Sequence, residues 1–153
     1  MTAYDLAVLI REWSATLPWI AWLDTSRRAQ PDATAADAIA ALPTDSIGQG
    51  WYWWLEKATH DHLPLVPRQT YYSLETDAYL AYIRINDEAA FDRDRQLQAF
   101  NEYRDRMTPV FVACMSHLLG IDVDANSSAA VRAICVAFDA ERAARVRESE
   151  LWP

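Results

Sequence analysis

The residues nearest to a metal site are His60-Asp61-His62. Two histidines two apart align on an extended segment but not on one helix face, and zinc needs at least a third protein ligand. No spacing announces that ligand, whether from His117 or from a carboxylate. A solvated loop over His60 to Pro67 is the simpler reading, so no metal and no cofactor are expected. Asp122-x-Asp124-x-Asn126 opens like a calcium loop. Its glycine position is Ser127, however, and its closing glutamate position is Ala133, so the match fails. Glu75 with Asp77, or Asp92 with Asp94, could form an acid–base pair. The second pair alternates with Arg93 and Arg95, as on a solvated, salt-bridged helix face. No serine lies in a Gly-x-Ser-x-Gly elbow, and neither Cys114 nor Cys135 is set with a histidine in a nucleophile pattern. Gly48-x-Gly50 lacks the third glycine and preceding strand of a dinucleotide fingerprint, and Pro64-x-x-Pro67 is too short a signal for proline-rich recognition. An enzyme is not expected.

The composition narrows what can hold such residues. A chain of 153 residues with 52% apolar content is most simply one domain with one core. Three glycines and abundant alanine argue against a turn-rich β-sandwich. Lys57 is the sole lysine, and the net charge is −8. Such a chain repels phosphate backbones, so direct nucleic-acid binding is not expected. Asp5, Arg11 and Glu12 near the amino terminus fit neither a signal nor a transit peptide, and no apolar run is long enough for a bilayer. A cytoplasmic chain without membrane contact is the expectation. There Cys114 and Cys135, both on apolar helix faces, would be free buried thiols, although a disulfide between their helices is geometrically possible.

The apolar spacing predicts about eight helices in an all-α, single-domain bundle over residues 1–153. Thr2 caps the first, with Asp5 at its third position, and Leu6, Leu9, Ile10, Trp13 and Leu17 form its buried face. Pro18 starts a second piece, and Thr25 to Asp32 reads as a polar connection. Thr34 and Asp37 cap a short third helix that Pro43 stops. A fourth runs from Ser46 to Ala58, its first turn weakened by Gly48 and Gly50. Thr70 to Ile85 is helical by composition, although Tyr79 to Ile85 also alternates as a strand would. Nothing else in the chain offers a strand partner. Asn86 or Asp87 caps the next helix, and Thr108-Pro109 opens another in the favoured cap–proline order. Gly120 ends that helix in left-handed geometry, and Asn126 or Ser127 caps the last.

Seven tryptophans and seven tyrosines exceed what a small core requires. Trp51-Tyr-Trp-Trp54 covers more than one helix face, so the helix either packs on several sides or borders an apolar pocket. A plain aromatic core is the competing reading.

The later half of the chain resembles the carboxy-terminal regulatory domain of TetR-family transcriptional regulators. The likeness rests on Tyr72-Ser-Leu-Glu-Thr-Asp-Ala78, Phe100-Asn-Glu-Tyr-Arg-Asp-Arg-Met107, Leu118-Leu-Gly-Ile-Asp-Val-Asp-Ala125 and Ala129 to Asp139. More loosely, Asp5-Leu-Ala-Val-Leu9 resembles the helix that follows the DNA reader. The resemblance implies a helical domain that binds an apolar or aromatic small molecule and pairs with a second copy through its last two helices. Its DNA-reading helix-turn-helix is not found in this sequence.

These lines give a non-enzymatic ligand-binding and dimerisation domain. Trp51, Trp54, Leu55, Tyr71, Tyr72 and His117 are its expected ligand site. Phe111, Met115, Leu118, Val131, Ile134 and Phe138 are its expected homodimer seam. The rival reading is a small acidic inhibitor of the immunity type that masks a basic protein partner, motivated by the net charge.

Overall fold

The computed structural model describes residues 1–152. Among them the architecture is all-helical, with one isolated antiparallel bridge at Thr2 and Thr34. Seven helices form: α1 (Ala3–Glu12), α2 (Leu17–Ala29), α3 (Ala35–Ala40), α4 (Ser46–His62), α5 (Leu65–Glu88), α6 (Arg93–Leu118) and α7 (Ala129–Leu151). They divide into two compact units, one over residues 1–61 and one from His62 onward.

In the first unit α1 packs on α2 and α3. Both α1 and α3 begin in a full capping box, Thr2 with Asp5 and Thr34 with Asp37, as the Thr-x-x-Asp spacing predicts. The two caps also pair with each other: Ala3 N–H donates to Ala33 O and Ala35 N–H to Met1 O. Arg11 ties α1 to Asp24 on α2, which Arg27 also reaches at 3.1 Å. Helix α1 stops at Glu12 rather than reaching Leu17. Ser14 takes left-handed geometry (φ 62°), and Ser14 and Ala15 donate to the Arg11 and Ile10 carbonyls. That pair of bonds is a Schellman termination, and it leaves Leu17 exposed as the first residue of α2. Helix α2 then absorbs most of the expected polar connection, running to Ala29.

In the second unit α5, α6 and α7 pack pairwise as a three-helix bundle. The ambiguous stretch Thr70 to Ile85 is helix, inside α5. The loop expected over His60 to Pro67 contracts to Leu63-Pro64. Pro67 falls within the first turn of α5, where a missing N–H costs nothing. Arg68 closes the turn with two bonds from its guanidinium to Leu63 O, at 3.1 and 2.8 Å. Pro64 gives α5 no side-chain cap; instead the Glu141 carboxylate on α7 accepts the Val66 N–H at 3.1 Å.

The count falls from eight to seven because Thr108-Pro109 does not start a helix. Both residues lie inside α6. Pro109 cannot donate to Asp105 O, but both residues face solvent, where water satisfies that carbonyl. Thr108 Oγ1 donates back to Arg104 O at 2.6 Å, and buried Met107, Val110 and Phe111 hold the helix against α5 and α7 on either side of the proline. The start of α6 also moves. Helix α5 runs through Asn86 and Asp87 to Glu88, and the cap is Asp92, whose side chain accepts the Arg95 N–H. Asp92 is thus a cap and not part of a salt-bridged face. At the other end the Gly120 expectation holds: φ is 71°, and Gly120 and Ile121 donate to the His117 and Ser116 carbonyls.

Candidate functional site

In α5 the residues Ala78, Ala81, Tyr82 and Ile85 recur at helical spacing and point to one side, towards α6. Opposite them α6 presents Ala99, Glu102, Tyr103 and Arg106 at the same spacing. Alanine side chains cannot fill the space between two helix axes. They leave a half-enclosed cleft of about 130 Å³. Tyr82 and Tyr103 wall it with ring centroids 5.8 Å apart, and Tyr79 closes the cluster at 6.0 Å from Tyr82 and 6.3 Å from Tyr103. Burial, with the Tyr79 phenol beside it, pushes the Tyr82 hydroxyl above its ordinary pKa, so near neutral pH it is a hydrogen-bond donor.

The two charged lining residues are exposed at the mouth. Glu102 accepts a hydrogen bond from Gln98 at 3.2 Å, whereas Arg106 makes no ion pair among the described residues. A guanidinium so placed is available to an incoming anion. An apolar floor, two aromatic walls and one cation can hold a flat ring that carries a carboxylate. A second depression, over residues 88–94 at the α5–α6 turn, lies open to solvent and encloses little.

The expected ligand residues divide between the two units: Trp51, Trp54 and Leu55 belong to the first, and Tyr71, Tyr72 and His117 to the second. Trp51 stacks on Trp19 at 6.1 Å with 12° between planes, and Trp54 meets Trp19 edge-on at 5.3 Å. These rings pack on one another, and Leu55 is buried. Tyr71 is also buried, but Tyr72, the next residue on the same helix, points to solvent, so the two do not share a wall. His117 stacks on Phe138 at 4.4 Å, and its Nε2 lies 3.3 Å from Cys135 Sγ, in a hydrogen bond whose donor follows the imidazole tautomer.

The expected dimer-seam residues lie on α6 and α7. Phe111, Met115, Val131, Ile134 and Phe138 are all buried within this chain, so only Leu118 retains partial exposure. Those five side chains are part of the core of this chain.

The His117–Cys135 pair has the residue types of a thiol nucleophile, but its electrostatics run the other way. A reactive pair needs a lowered thiol pKa. Here burial, then the nearby Asp139, pushes the Cys135 thiol up, and burial also raises Cys114 well above the usual thiol range. Burial, then Arg142, lowers His117, against an opposing pull from Asp139. Both partners are therefore neutral near pH 7. An imidazole that ionises less readily folded than unfolded leaves stability intact above pH 6.5 and loses it as pH falls towards the lower folded value. The urea midpoint should accordingly fall between pH 7 and about pH 5.5, and His117→Leu should flatten that part of the profile. An unchanged slope in the variant would remove His117 as the cause.

The cleft was missed in sequence although its signal exists: Ala78, Ala81, Tyr82 and Ile85 fall at i, i+3, i+4 and i+7 on one face. Among the described residues no group of three histidine, cysteine or acidic side chains could hold a metal ion. His60 and His62 lie in the last turn of α4 and face apart. No described helix is long and apolar enough to cross a membrane. No family model, curated protein or solved structure matches this chain.

Proposed function

We propose that this protein is a non-enzymatic binding module that takes a small, flat aromatic molecule in the α5–α6 cleft, with carboxylate-bearing rings preferred. The observation that carries this reading is the tyrosine-walled cleft itself, with Arg106 at its mouth. Its volume of about 130 Å³ suits one ring: an apolar cavity of roughly 150 Å³ binds benzene. Pockets for drug-sized ligands are larger, about 300 Å³ and up, so the ligand is small. The buried floor of Ala78 and Ala99 supplies shape, Tyr82 a donor and Arg106 the charge. The small-molecule role implied by the regulatory-domain resemblance is kept, at a different set of residues.

A library of single-ring benzoate-like acids, followed by amide chemical shifts, tests this. The expected shifts cluster at Ala78, Ala81, Tyr82, Ala99, Tyr103 and Arg106. Ala81→Leu, at a half-buried position, fills the cleft and should abolish them while the fold persists. Arg106→Gln should weaken acids by roughly tenfold or more and leave neutral rings unaffected, because a charge-assisted bond contributes about 1.5–3 kcal/mol. Scattered shifts, or undiminished binding by Ala81→Leu, would refute the assignment.

A further inference from the structure

The outer side of α5 carries large apolar side chains that are exposed. Leu65, Tyr72 and Tyr79 recur at intervals of seven residues, and Leu80 lies beside them. Tyr72 is 63% and Leu80 61% exposed, so among the described residues most of this stripe is left uncovered. A seven-residue apolar repeat is the seam by which one helix packs along another.

The charges beside the stripe identify the second helix. Asp77 and Arg84 are exposed on the same flank, about two turns apart. That separation is too long for them to reach each other along the helix, where ion pairs form at three or four residues. Among the described residues neither has an ion-pair partner in the chain. When two identical helices pack antiparallel about a two-fold axis, like flank meets like flank. An axis crossing α5 midway between Asp77 and Arg84, beside Leu80, therefore sets each Asp77 opposite Arg84 of the second copy. The flank is self-complementary, and both ion pairs form at once.

We infer that the protein forms a two-fold dimer through antiparallel packing of α5 against α5 of a second copy, with two reciprocal Asp77–Arg84 ion pairs flanking a Tyr72, Tyr79 and Leu80 seam. This partner face is distinct from the buried α6–α7 side chains and adjoins the tyrosine cluster of the cleft at Tyr79, whose ring is 42% exposed. A single helix face is a small interface, so association is reversible and in the micromolar range.

Sedimentation equilibrium from about 1 to 500 µM tests it. The wild-type chain is expected to pass from monomer to dimer across that range. Asp77→Arg sets arginine against arginine and Arg84→Asp sets aspartate against aspartate, so each should weaken self-association at least tenfold. The double swap, Asp77→Arg with Arg84→Asp, restores both pairs and should recover dimerisation to within about threefold. The two single variants mixed in equal amounts should form a heterodimer, which neither forms alone. Both positions are exposed, and circular dichroism of each variant checks that the fold is intact. A wild-type monomer throughout the range overturns the proposal. So does a dimer that ignores the single swaps, or single variants that fail to combine.

Discussion

Phe111→Ala is expected to lower the free energy of unfolding by about 4 kcal/mol, with no change in association state. The ring is 0% exposed and lies in α6 among Met107, Val110, Cys114 and Met115, all buried. Truncation removes the transfer free energy of the ring and leaves a void that the close-packed neighbours relax around only in part. In a chain of this size the loss is roughly 10–15 °C in Tm, read by thermal or urea unfolding. Leu118→Ala, at a half-exposed position, should cost under about 1.5 kcal/mol. Had Phe111 belonged to a subunit seam, the ordering would reverse: little loss in the isolated chain and a large loss of self-association. A cost below about 1 kcal/mol for Phe111→Ala would overturn its place in the core.

The second large effect separates two glycines two positions apart on α4. Gly48→Ala should destabilise by about 3 kcal/mol or more, whereas Gly50→Ala should stabilise by about 1 kcal/mol. A methyl group on Gly48 would lie 1.8 Å from Pro43 O and 2.5 Å from its carbonyl carbon. That obstacle is backbone, in the segment that leads into α4, and cannot rotate away as a side chain could. The same segment supplies Asp45, whose carboxylate accepts the Gly48 N–H at 2.9 Å, so relieving the clash also strains the helix start. Gly50 is exposed with nothing within 4 Å of its added carbon, so alanine there only improves helix propensity. Urea midpoints of the two variants should move in opposite directions. Parallel movement would show that the close approach at Pro43 is absent.

Those glycines also mark how far a sequence reading reaches. In sequence both simply weaken the first turn of α4, because propensity is a property of the residue while a close approach belongs to whatever passes nearby. Local chemistry was legible: the Thr2–Asp5 and Thr34–Asp37 boxes and the Gly120 termination each depend on residues within one turn. Thr108-Pro109 shows local chemistry overruled. Its cap–proline order is a valid helix start, but burial on both sides of Pro109 carries α6 through it. The cleft and the His117–Cys135 pair were harder still, since each needs two helices set in register. Tyr82 and Tyr103 acquire a role only when α5 and α6 lie side by side. Five of the six seam residues are buried in this chain for the related reason that amphipathic spacing identifies an inward face without saying whose interior it faces.

The cap that α7 lends to α5 has a consequence for synthesis of the chain. Val66 and Glu141 are 75 residues apart, so at roughly 5–20 residues per second Val66 is made some 4–15 s before the carboxylate that accepts its N–H. Until then Pro64 offers the first turn of α5 no side-chain partner, and the positive end of the helix dipole has no fixed counter-charge. Docking of the last helix is therefore also the step that completes the beginning of α5. In a chain halted on the ribosome before Glu141, the Val66 N–H is left to water.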